Sequence, residues 1–133
     1  MQKTVVCIDN DPGILVIYRS ILADCGYEVL IAPEGRFGLH QLEHHVVDVV
    51  LVDYDMPEMD GGIVAAEISR RMPNVAIVLI SGYDEVPAEV SGHIQAFVGK
   101  PFTTQQLLHS VETAIAAKSE PILSENLTDI ADP

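Results

Sequence analysis

Val49-Val50-Leu51-Val52-Asp53 is a run of four apolar residues, three of them β-branched, closed by an acid. Apolarity without polar alternation marks a strand buried on both faces, as in a parallel sheet. Residues 4–8 (TVVCI), 29–32 (VLIA), 75–80 (VAIVLI) and 96–98 (AFV) repeat the pattern on either side. Helical spacing fills the intervals. Pro12 opens a helix that runs to about Cys25, where Gly26 stops it. A second, from Pro33 to about Val46, carries Leu39, Leu42 and Val46 on one face. A third, over residues 62–72, carries Val64, Ile68 and Met72 and ends before Pro73. The last, from about Thr103 to Lys118, shows Leu108, Val111 and Ile115. Between residues 83 and 94, Pro87 and Gly92 leave room only for a short helix from Pro87, expected to be the most mobile one. Five strands alternating with five helices predict an α/β doubly wound parallel sheet with right-handed crossovers.

The 133 residues suit one domain, predicted over residues 1–118, followed by an acidic linker or tail over 119–133. That tail carries Leu123, Leu127 and Ile130 at helical spacing. With 20 Asp plus Glu against 7 Lys plus Arg, the net charge of −13 argues against nucleic acid or an anionic membrane as a direct partner. Apolar runs stay well short of the roughly 18–20 residues that a membrane span needs. Met1 to Thr4 lead directly into a strand with no signal-peptide pattern. Cys7 and Cys25 read as small buried side chains in a reducing, cytoplasmic setting.

This topology gathers dispersed residues into one place. Open α/β sheets bind ligands outside the carboxyl ends of their strands. Asp9-Asn10-Asp11 follows the first strand, Asp53 ends the third, Ser81 the fourth and Lys100 the fifth. Carboxylates crowded at one crevice call for a cation, and hard oxygen donors suit Mg²⁺. Lys100 adds a fixed positive charge and Ser81 a hydroxyl. A carboxylate can attack a phosphoryl group when the charge on that group is neutralised, so the set points to phosphoryl chemistry.

Val52-Asp53-Tyr54-Asp55-Met56-Pro57-Glu58-Met59-Asp60-Gly61 resembles the D-x-x-M-P-x-x-D-G signature of response-regulator receiver domains in two-component signalling. Asp9-Asn10-Asp11 resembles that family's acidic cluster, Ile80-Ser81-Gly82 its small-hydroxyl motif, and Gly99-Lys100-Pro101-Phe102 its K-P-F motif. The resemblance implies a flavodoxin-like five-stranded sheet of order 2-1-3-4-5. It makes Asp53 the phospho-acceptor and sets Asp9, Asn10, Asp53 and the backbone carbonyl of Asp55 around Mg²⁺. Ser81 and Lys100 become the phosphoryl-binding pair, Phe97 the switch aromatic, and Pro101 a cis-proline. The implied donor is a histidine kinase or histidine phosphotransfer protein. The implied output is a downstream effector protein or a domain outside this chain, which could itself be a fragment of a hybrid histidine kinase. The implied activity is signalling, with the domain assisting its own phosphorylation and dephosphorylation. Phe97 lacks the hydroxyl that could hold a tyrosine outward, so it is expected to favour the inward state.

Asn10 departs from the pattern, standing where the family usually has a second acid. It gives weight to a pseudo-receiver docking module with weakened phosphorylation. Asp53-Tyr54-Asp55 also resembles motif I of haloacid-dehalogenase-like phosphatases, a remoter alternative because a strand and an acidic cluster precede it. Other residues have plainer readings. Asp11-Pro12 fits a helix N-cap, and Asp60-Gly61 a turn. His40 and His44 pair at i, i+4 with no third ligand evident, which suits a solvated surface pair. Ile14 to Tyr18 make the first helix apolar on nearly all sides, mostly core with room for a homodimer contact.

Overall fold

The structure is a computed structural model that describes residues 2–119. Five strands, β1 (Thr4–Ile8), β2 (Glu28–Ala32), β3 (Val49–Asp53), β4 (Ala76–Ser81) and β5 (Ala96–Gly99), form one sheet of order β2-β1-β3-β4-β5. Every pairing is parallel. Four α-helices connect or follow them: α1 (Pro12–Asp24), α2 (Gly35–His44), α3 (Gly61–Arg71) and α4 (Thr104–Ser119). Of the predicted tail, Ser119 belongs to α4, and residues 120–133 lie outside the described residues.

Side-chain alternation divides the core into two layers. Val5, Cys7, Val49, Leu51, Ala76, Val78 and Ile80 face α1 and α4, meeting Leu15, Tyr18, Leu22, Leu107, Val111 and Ala114. Val6, Ile8, Val50, Val52, Ile77 and Leu79 face α2 and α3, meeting Leu39, Leu42, Val64, Ala65 and Ile68. β3 is buried at all five positions because helices cover both of its faces. Full burial of each Val or Leu there contributes about 1.5–3 kcal/mol.

Helix ends follow local chemistry. Asp11 caps α1, its side chain accepting from the N–H groups of Gly13 and Ile14. Gly26 at φ 92° turns the chain out, where the Tyr27 N–H donates to the Leu22 carbonyl. Asp60, expected mainly as a turn residue, is the N-cap of α3 and accepts from the Ile63 N–H at 3.0 Å.

Four expectations change. No fifth α-helix forms among the described residues; residues 83–95 hold turns and a 3₁₀ turn at Ser91–His93. Pro87 disfavours helix at the residue before it, and Gly92 follows only five positions later, so a helical nucleus has too few residues to propagate. The backbone instead closes tight turns, Val90 N–H to the Pro87 carbonyl and His93 N–H to the Val90 carbonyl. Second, α2 stops at His44, which leaves Val46 90% exposed while Val47 turns inward. Third, the buried face of α4 centres on Leu107, Val111 and Ala114, with Leu108 and Ile115 at its margin. Fourth, Cys7 is buried as expected but Cys25, the C-cap of α1, is exposed.

Candidate phosphoryl-acceptor site

Strand register assembles the site. Ile8 lies opposite Val52, so the next residues, Asp9 and Asp53, emerge side by side at the carboxyl edge. Asp53 pairs with Ile80 and Ser81 with Gly99, and the Lys100 N–H donates to the Ser81 carbonyl at 2.8 Å. The Lys100–Pro101 peptide bond is cis.

Asp9 and Asp53 are buried. Lys100 Nζ donates to Asp53 Oδ1 at 3.0 Å and lies 4.0 Å from Asp9 Oδ2. Asp9 Oδ1 accepts from the Asp11 N–H at 2.9 Å, while Oδ2 is buried without a hydrogen-bond partner. Burial pushes both carboxyls above the ordinary value, more than the Lys100 charge pulls them back. An orphaned carboxylate oxygen beside a second desolvated carboxylate is a donor set short of positive charge. Hard oxygen donors of this kind fit Mg²⁺.

The remaining predicted residues fall around this pair. Asn10 and Asp55 are exposed at its rim. Ser81 is buried, and its Oγ accepts from the Tyr83 N–H at 3.0 Å, which leaves the hydroxyl proton free to donate. Phe97 is partly buried on the α2–α3 side, packed against the core layer that includes Val90. Gln95 to Pro101 along β5, Phe97 among them, and α4 residues Gln106, His109, Ser110 and Thr113 line a groove of about 570 Å³.

Tyr18 was legible only as a core position. Its ring stacks near Phe102, with centroids 6.1 Å apart, and its hydroxyl is buried without a partner. Burial first, then the charges of Asp9 and Asp53, push its phenol pKa up. The available signal was a polar tip within an otherwise aliphatic helix face.

Residues 5–112 match the family model described as the response regulator receiver domain. The chain is 31% identical over 121 residues to the transcriptional regulatory protein GlrR of Escherichia coli K12, covering 89% of this chain and 27% of GlrR. It is 30% identical over 116 residues to the transcriptional regulatory protein ZraR of the same strain, covering 84% and 26%. It thus spans about a quarter of the length of these curated relatives. Among solved structures, a CheY-like receiver domain from Methanospirillum hungatei superposes with TM-score 0.81 at 25% identity, over 90% of this chain and 98% of that one. The response regulator TrrA of Thermotoga maritima, solved in complex with Mg²⁺-BeF, gives TM-score 0.78 at 26% identity, over 84% and 97%.

Proposed function

Because this chain belongs to the response regulator receiver family, we propose that Asp53 is its phospho-acceptor, charged by a histidine kinase or histidine phosphotransfer protein. The observation that carries the reading is the buried Asp53 carboxylate at the end of β3, held by Lys100 at 3.0 Å beside the buried Asp9. Lys100 engages Oδ1, so Oδ2 is the oxygen left to attack. The new bond joins Oδ2 to phosphorus as the phosphorus–nitrogen bond of a phosphohistidine breaks and the imidazole leaves with the electron pair. Asp9, Asn10, Asp53 and the Asp55 carbonyl are the residues to hold Mg²⁺. When bound, the ion supplies positive charge against the transferring oxygens. Lys100 orients Asp53 and balances part of the same charge, and the Ser81 hydroxyl donates to a phosphoryl oxygen.

The output follows from the movement of Ser81 towards the phosphoryl group. That movement opens room beside β4 into which Phe97 packs further, shifting a population between two surfaces around residues 83–94, β5 and α4. The groove between β5 and α4 suits a downstream effector protein or a domain outside this chain. The receiver domain is read as residues 1–118, with 119–133 as an acidic linker or tail.

Intact-mass analysis after incubation with acetyl phosphate and Mg²⁺ tests the assignment. Wild type should gain about 80 Da and Asp53→Asn none. Equal labelling of both would remove Asp53 from its role. Absence of labelling in wild type would favour the docking-module alternative that the amide at position 10 suggests.

A further inference from the structure

His40 and His44 sit in the last two turns of α2, with ring centroids 4.2 Å apart. α2 returns from the carboxyl edge of the sheet to the amino edge, so these rings lie at the end of the molecule away from Asp53. Between them in sequence stands the third ligand that spacing alone did not reveal. One ligand-capable atom from each of His40, Glu43 and His44 lies within 4.8 Å of the other two, and all three residues are exposed.

Two contacts prepare these groups. His44 Nδ1 lies 2.8 Å from the His40 carbonyl oxygen, which can only accept, so Nδ1 carries the proton. Nε2 is thereby left with its lone pair free, the arrangement in which metal-bound histidines are usually held. Arg71, from α3, engages Glu43 Oε2 and leaves Oε1 available. The carboxyl end of a helix also carries a partial negative charge that favours a bound cation.

We propose that His40, Glu43 and His44 form a binding site for one Zn²⁺ ion, with a fourth position open to water or an outside ligand. Two imidazoles and a carboxylate select zinc-like borderline ions over Mg²⁺, which prefers an all-oxygen octahedron. The bound ion joins successive turns of α2 and fastens its carboxyl end, which otherwise finishes without a glycine stop.

Calorimetric titration of untagged Cys25→Ser protein with ZnCl₂, in excess Mg²⁺, tests the site. The background substitution removes the exposed thiol, and Mg²⁺ occupies hard-oxygen sites. About one Zn²⁺ should bind per chain, and His40→Ala, His44→Ala and Glu43→Gln should each weaken it, the histidines by roughly tenfold or more. Asp53→Asn should bind zinc as wild type does, which separates this site from the acceptor site. Zinc should raise the melting temperature of the parent but not of His40→Ala/His44→Ala, whose fold circular dichroism checks. No binding in the parent, or binding unchanged by both histidine substitutions, would overturn the proposal.

Discussion

Asn10 stands exposed, next to the buried Asp9 in the chain. An amide oxygen can still meet a cation, but it brings no net charge. Water screens an exposed position, so the missing charge is worth about 1 kcal/mol, or roughly fivefold in Mg²⁺ affinity. Asn10→Asp should therefore tighten Mg²⁺ binding and speed phosphoryl uptake at limiting Mg²⁺. It should also lower the metal-free melting temperature, because a third carboxylate would approach two that burial already disfavours. Calorimetric Mg²⁺ titrations and melts of both proteins check the pair of effects. If neither moves, position 10 lies outside the metal site.

Helix α3 approaches β3 so closely that a side chain at its first residue has nowhere to go. A Cβ on Gly61 would fall against the Asp53 carbonyl oxygen and within 2.7 Å of the Tyr54 Cα, both backbone atoms that cannot swing aside. Gly61→Ala should cost about 1–3 kcal/mol in urea unfolding and slow phosphoryl uptake, because the displaced backbone carries Asp53, the proposed acceptor. Gly99→Ala is the control: a Cβ there meets nothing within 4 Å, and the change should stay within about 0.5 kcal/mol. Equal stability losses at the two glycines would show that this close approach does not set the position of Asp53. The missing fifth helix belongs to the same scale. Val86, Val90 and Ile94 keep helical spacing and still pack on the core, yet the backbone between them forms turns because Pro87 and Gly92 shorten any helix below a stable length.

Across the whole molecule, the buried acidic pair makes stability depend on pH. Burial raises the Asp9 and Asp53 carboxyls above 3.8, so the folded state holds these protons more tightly than the unfolded state. Their contribution is most favourable below 3.8 and is lost as pH rises through the raised folded values towards neutrality. Asp53→Asn removes one such charge. Without metal at pH 7 it should melt a few degrees above wild type, and the gap should narrow as the pH is lowered towards about 4. Mg²⁺ should reverse the order, since an ion at 100 times its Kd stabilises wild type by about 2.7 kcal/mol and binds the variant less tightly. Melts across pH, with and without Mg²⁺, decide; a metal-free variant no more stable than wild type at pH 7 would contradict the desolvation account. No helix among the described residues is long and apolar enough to cross a membrane.

Apolar runs such as VVLV, and single residues at their ends, were legible in the chain because a strand buried on both faces tolerates no polar residue until it emerges at the sheet edge. That alone yielded the doubly wound class and the strand-end residues Asp9, Asp53, Ser81 and Lys100, while the strand order rested on the resemblance and is the observed one. What depended on the third dimension was distance and coverage. Sequence spacing could not say that Lys100 Nζ would reach Asp53, 47 positions earlier, at 3.0 Å, or that the Tyr18 hydroxyl would be buried without a hydrogen-bond partner. Nor could it set α4 on Leu107 instead of Leu108, because neighbouring leucines give near-equal stripes until a sheet chooses one. Periodicity records which residues must avoid water; only packing fixes which buried groups meet, because contacts between elements depend on register and crossing geometry that no local pattern encodes.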